Sequence, residues 1–271
     1  MTTLQRVIKY CAVAFGVFLI VSIIGGICGA IGMASNLFGG SAVGEMQTFA
    51  VSGDVESLKI EISAADLEIV SGDAFSVESN HKYLTVREEN GTLVISESKV
   101  LFGMSSNGVS VVLTVPEDFV FEEADVSAGA GRVVAETISA NTLRLELGAG
   151  ETDIGCLNAA SEAKIDGGAG KLAIGGGELH DLRLSMGVGK LELTGWLTGD
   201  CSLDYGVGDA ELVLLGSRED YKIKLDKGVG GAALNGETMR DDSVYGGGWN
   251  RINIDGAVGN LTIRFADEAK G

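Results

Sequence analysis

From residue 121 onward, apolar and polar side chains alternate in short runs, as in Leu182-Arg183-Leu184, Lys190-Leu191-Glu192-Leu193, Asp209-Ala210-Glu211-Leu212 and Tyr221-Lys222-Ile223-Lys224-Leu225. A period of two sends successive side chains to opposite faces and predicts strands with one buried face. The runs are punctuated by Gly-Ala-Gly or Gly-Val-Gly at 129–131, 148–150, 168–170, 187–189, 206–208 and 228–230, and Ala257-Val258-Gly259 is a degenerate seventh copy. The last glycines of these triplets are spaced by 19, 20, 19, 19, 22 and 29 residues. Such a unit is too short for a propeller blade and has no helical stretch for a leucine-rich or helical repeat. The pattern predicts an all-β fold, a single-stranded β-solenoid of the parallel β-helix kind with about 19–20 residues per coil. Seven coils stacked about 4.8 Å apart give a column of roughly 30–35 Å. The glycines recur at one corner, where the missing Cβ permits a tight turn or φ > 0. Residues 231–251 read as a loop bulging from the last full coil.

Residues 45–115 are strand-rich but less regular. Strands are predicted at 57–62, 67–70, 75–78 and 109–115, with a hairpin over 83–97 that turns at Glu89-Asn90-Gly91-Thr92. Ser63-Ala64-Ala65-Asp66-Leu67-Glu68-Ile69 is a worn copy of the repeat, so the column starts there and residues 45–271 form one domain. The succession ISAADLEIVSGD, VREENGTLVIS, VSVVLTVPEDF and DVSAGAGRVVAETISANTLRLELGAGETDI resembles the bacterial putative-adhesin family, the domain of unknown function numbered 4097, over about residues 50–265. That resemblance implies a β-solenoid in an envelope-associated or cytoplasmic protein, some relatives being tied to envelope-stress responses against cationic antimicrobial peptides. It implies no catalytic residues.

Ahead of the body, Tyr10 to Met33 is a stretch of 24 uncharged residues. As a helix it reaches about 36 Å, enough to cross a hydrocarbon core of about 30 Å, and it exceeds the about 7–15 apolar residues of a secretory signal. Arg6 and Lys9 precede it and no basic residue follows closely. The positive-inside rule then gives residues 1–9 in the cytoplasm, a transmembrane helix at 10–33, a tether at 34–44 and the body outside a bacterial cell membrane. Gly25 and Gly29 form a small-xxx-small pair suited to a helix–helix contact. This opens a second functional reading, a structural or regulatory partner of another membrane protein acting through its helix.

Charge narrows the chemistry. The chain has 20 Lys+Arg against 38 Asp+Glu; residues 1–44 carry +2 and residues 45–271 carry −20. So acidic a body excludes nucleic acid as a partner. Gly168-Ala169-Gly170-Lys171 is not a phosphate loop, because Ile165 stands where its first glycine belongs and Leu172 where the hydroxyl residue belongs. His81 and His180, the only histidines, read as surface residues without a nucleophile set. Cys156 and Cys201 fall at different phases of the repeat and read as small buried apolar residues, and no Cys/His spacing suits zinc. We therefore expect no enzyme, no cofactor and no metal centre. One row stands out four residues before the last triplet glycine: Ser127, Glu146, Asp166, Ser185, Asp204, Asp226 and Asp255, five of seven acidic where composition gives about one. Glu146, Asp166, Asp204, Asp226 and Asp255 form a candidate ladder for cationic peptides, divalent cations or another envelope protein. Turn chemistry and solubility would account for such a row as well. Trp196, Tyr245 and Trp249, near the C-terminal end, read as packing or capping residues.

Overall fold

The computed structural model describes residues 42–51, 54–97 and 108–266. The predicted transmembrane helix at 10–33, with Gly25 and Gly29, lies outside the described residues, as do residues 1–9 and most of the tether. Among the described residues no helix is long and apolar enough to cross a membrane.

The chain runs through β1 (Val43–Ala50), β2 (Ser57–Ala64), β3 (Asp66–Gly72), β4 (Ser76–His81), β5 (Leu84–Glu89), β6 (Thr92–Glu97) and β7 (Ser110–Pro116) into β8 (Phe121–Ile174). β8 is extended over 54 residues and turns corners without leaving the ladder. There follow β9 (Glu178–His180), β10 (Arg183–Thr198), β11 (Asp200–Leu214), a single 3-10 turn at Arg218–Asp220, β12 (Tyr221–Val229), β13 (Ala232–Leu234), β14 (Glu237–Thr238), β15 (Ser243–Gly246) and β16 (Asn250–Phe265). All join one 16-stranded sheet wound into a solenoid-like column. Coil meets coil in parallel and in register, as in Leu184↔Ile165 and Leu184↔Leu203.

That register converts the period-two pattern into an aliphatic axis. Ile95, Ile60, Val126, Leu145, Ile165, Leu184, Leu203, Ile254 and Leu225 stack rung over rung, none more than 2% exposed. Each such side chain contributes about 1.5–3 kcal/mol on burial. The glycine corner is demanded twice over. At Gly189 φ is +138°, and an added Cβ would sit 1.8 Å from the Gly170 carbonyl oxygen of the coil beneath. Gly208 repeats this against Gly189 at 1.7 Å. Two further glycines make room for large neighbours in the next coil: a Cβ on Gly167 would meet the Met186 sulfur, and one on Gly256 the Tyr205 hydroxyl.

The expected strands and the hairpin at Asn90-Gly91 are present, both turn residues at positive φ. Two features differ from the sequence reading. Stacking leaves chain order at both ends: β6 and β7 lie outside β2 and β3, so the column does not start at 63–69, and β16 intercalates between β11 and β12. Residues 231–251 are not a plain loop: β13 and β14 pair as a hairpin, with β13 continuing the column on β16, and β15 lies antiparallel on β12. The column thus closes on antiparallel strands at both ends, since β5 lies antiparallel on β6 and β4 antiparallel between β7 and β1. Capping of this kind blunts the open edges that a parallel stack would otherwise present.

Candidate functional site: an acid-lined groove beside the glycine corner

The predicted ladder assembles along the strand that leads into each glycine triplet. In spatial order the row runs Glu61, Ser127, Glu146, Asp166, Ser185, Asp204, Asp255, Asp226. The five acidic positions share one outward row, about 4.8 Å from rung to rung, but Ser185 divides them into Glu146/Asp166 and the run Asp204/Asp255/Asp226. The row is also partly neutralised. Strand side chains two residues apart share a face, so Arg144 reaches Glu146 at 3.5 Å and Lys164 reaches Asp166 at 2.8 Å. Among the described residues no three His, Cys, Asp or Glu side chains gather as metal ligands. The ladder is a charged stripe rather than a chelating cage.

At its N-terminal end the stripe borders a groove of about 790 Å³. Its floor is made by Ile62, Ala128, Leu147 and Gly167, the inward row beside the glycine corner, and its walls carry Glu61, Glu97, Glu146 and Asp166. Small residues shape the groove: Ala128 leaves open space beside Leu147, and Gly129, Gly148 and Gly168 expose backbone along the rim. An apolar floor between carboxylates suits a ligand that is itself cationic and amphipathic.

Two of these carboxylates, Glu61 and Glu97, were not among the sequence candidates. Glu61 lies one coil before the first full triplet, paired with Ser127. Glu97 shares the inward face of Leu93 and Ile95, and that parity was a usable signal. Its side chain is only 8% exposed and its Oε1 accepts the Ser63 N–H at 3.1 Å. The expectation that His81 is a surface residue is overturned. His81 is buried on the same parity as Val77 and Ser79, and its Nε2 lies 3.4 Å from Glu97 Oε1. The Tyr83 N–H donates to His81 Nδ1 at 3.0 Å, which assigns the ring proton to Nε2, facing Glu97. His81 and Glu97 therefore close one end of the inward row. At the other end the same row holds Lys227, whose Nζ donates to the Gly230 carbonyl at 3.1 Å.

Other candidates resolve as follows. His180 is half-buried on the surface with Nδ1 3.0 Å from Thr198 Oγ1. Cys201 is buried and burial pushes its thiol up to about 11; Cys156 is only half-buried, and both are free thiols. Trp249 does not pack: it is 96% exposed, while Trp196 is 40% exposed and Tyr245 rests against the core. Near the groove, Asp125 has its carboxyl raised, chiefly by burial, with Arg144 and Lys59 opposing the shift. On the strand leaving the corner, hydrogen bonds from Lys171 and Lys190 hold Glu192 low.

Comparison with known proteins places this column. The Toastrack DUF4097 family model matches residues 49–237. Crystal structures of similar shape include a "putative cell adhesion protein" from Clostridium sporogenes, at 16% identity and a TM-score of 0.38, covering 82% of this chain and 99% of that one. A "putative adhesin" from Bacteroides fragilis gives 13% identity and a TM-score of 0.37 over 82% of this chain and 96% of that one. A "putative lipid binding protein" from Parabacteroides distasonis gives 14% identity and a TM-score of 0.33 over 82% and 96%. No curated protein matches the chain.

Proposed function

Starting from the premise that the chain belongs to the Toastrack DUF4097 family, we propose that it is a non-enzymatic binding module. Its acid-lined groove takes a cationic, Lys/Arg-rich peptide, in the service of adhesion or envelope-stress sensing. The observation that carries this reading is the groove of about 790 Å³ in which Glu61, Glu146 and Asp166 stand over an apolar floor. The net −20 of residues 45–271 steers cations towards it, and the nearby Arg144 and Lys164 make the groove selective for ligands that can displace or bridge them. In this proposal residues 10–33 anchor the module in a bacterial membrane with the body outside.

The test is titration of the full-length chain with an amphipathic Lys/Arg-rich peptide, comparing the unaltered protein with the Glu146→Gln/Asp166→Asn double variant. Each exposed ion pair contributes about 0.2–1 kcal/mol, so the double variant should bind about 2- to 30-fold more weakly, with the difference shrinking at high salt. Equal affinity at low salt would refute the assignment.

A further inference from the structure

Four successive coils have a third strand, and its outward face carries a groove that the acidic stripe does not use. At 138–140, 157–159, 178–180 and 196–198 the inward positions are apolar, and the outward row reads Ser139, Asn158, Glu178, Trp196. The row is wired together. Asn158 Nδ2 donates to Ser139 Oγ at 3.0 Å, Asn158 Oδ1 accepts the Glu178 N–H at 3.0 Å, and Glu178 pairs with Trp196 in register. Two depressions of about 420 and 430 Å³ adjoin here and share Ser139 and Asn158. One is walled by Phe119 and by the Glu117-Asp118 turn; the other extends to Glu178.

The walls are pre-set. Phe119 is held edge-on by Phe75 at 4.9 Å and by Phe121 at 4.8 Å. Its turn is fixed by the Phe119 N–H donating to Pro116 O at 3.2 Å and the Glu117 N–H donating to Gly72 O at 3.0 Å. Within the grooves, the hydroxyls of Ser71 and Thr137 and the carboxylates of Glu117, Asp118 and Glu178 make no side-chain hydrogen bond or ion pair among the described residues. Ser139, accepting from Asn158, keeps its own proton to donate.

Hydroxyls, one amide, isolated carboxylates and the partly exposed Phe119 ring, with no basic residue in either lining, suit a neutral polyhydroxylated ligand; the carboxylates repel phosphate, sulfate and uronate. We propose that this face binds a neutral oligosaccharide. Successive rungs are about 4.8 Å apart, close to the advance of one sugar ring along a β-linked chain. Asn158, Glu178 and Trp196 therefore meet successive rings, the first two by hydrogen bonds to ring hydroxyls and Trp196 by stacking. Trp196 is 40% exposed, and its six-membered ring is steadied against Gly216.

The experiment is calorimetric titration of the full-length chain, in a polyoxyethylene detergent that carries no sugar, with cellohexaose, with hexa-N-acetylchitohexaose and with hexagalacturonate. Saturable binding of at least one neutral hexasaccharide is expected, weakened about tenfold in Trp196→Ala by loss of the ring contact and measurably in the exposed Glu178→Gln, which leaves the fold and melting temperature unchanged. The Glu146→Gln/Asp166→Asn variant should bind sugar as the unaltered chain does, separating this site from the acidic groove. The proposal is overturned if neither neutral sugar binds, if hexagalacturonate binds as tightly, or if Glu178→Gln and Trp196→Ala both bind as the unaltered chain does.

Discussion

Replacing Gly189 with alanine puts two separate penalties on the column, and neighbouring glycines allow them to be taken apart. At Gly247 φ is not in the left-handed region and an added Cβ meets nothing within 4 Å; at Gly236 φ is +83° with the same open space; at Gly189 φ is +138° and the Cβ meets the Gly170 oxygen at 1.8 Å. An L-residue at positive φ costs about 1–2 kcal/mol, offset by about 0.4–1 kcal/mol from the stiffer unfolded chain. Gly236→Ala should therefore cost about 0–1.5 kcal/mol, and Gly247→Ala should be neutral or slightly stabilising. Gly189→Ala adds overpacking of about 1–3 kcal/mol against a backbone atom that can move only with its whole coil, for a total of about 1–4.5 kcal/mol. At about 2–4 °C per kcal/mol for a body of this size, a central value near 3 kcal/mol lowers Tm by about 6–12 °C. Thermal melts and urea titrations of the three full-length variants provide the measurement. If Gly189→Ala melts within about 1 °C of Gly236→Ala, the close approach of the coils has no energetic weight and the steric argument fails.

Three further outcomes follow from the same structure. Asp125 has a folded-state pKa raised by burial, so its contribution to stability is fully present below the unfolded value and is lost as pH rises through the folded one; Asp125→Asn should raise Tm at pH 7 by an amount that fades in acid, and a gain that grows on acidification would contradict this. Alkylation mapped by mass spectrometry at pH 8 should label half-buried Cys156 well before Cys201, whose thiol stands near 11, whereas equal rates would mean that the column opens readily. Protease added to intact cells should digest the body, and protection until lysis, with lysed samples cut normally, would reverse the proposed topology.

Much of the fold was legible because local rules decide it. Alternation fixed which side chains face the axis, the recurring Gly-x-Gly marked the corner, and Asn90-Gly91 marked its hairpin, since each depends on a few consecutive residues. The buried His81–Glu97 pair was missed although Val77-Ser79-His81 and Leu93-Ile95-Glu97 carry its parity; polar residue type was weighed above position. The neutralisation of Glu146 and Asp166 was also readable, from Arg144 and Lys164 two residues earlier on the same face. The place of β16 between β11 and β12 was not readable. Every coil offers a similar aliphatic row and a similar glycine corner, so nothing local distinguishes one neighbour from another. The groove volume likewise depends on which small residues stack across coils, a property of register between distant segments.

The intercalation of β16 has a consequence for how the protein is made. A solenoid whose coils stack in chain order can zip up behind the ribosome, each new coil docking on the last. Here that process halts at β11, because the surface it presents is reserved for a strand that begins at Asn250. β12 emerges earlier and must wait beside an unfilled slot, paired with β15 alone, until the last coil slides between them. Synthesis order and spatial order part company over these rungs, so the coil of β16 acts as a keystone: this end of the column is complete only once Asn250–Phe265 has been made.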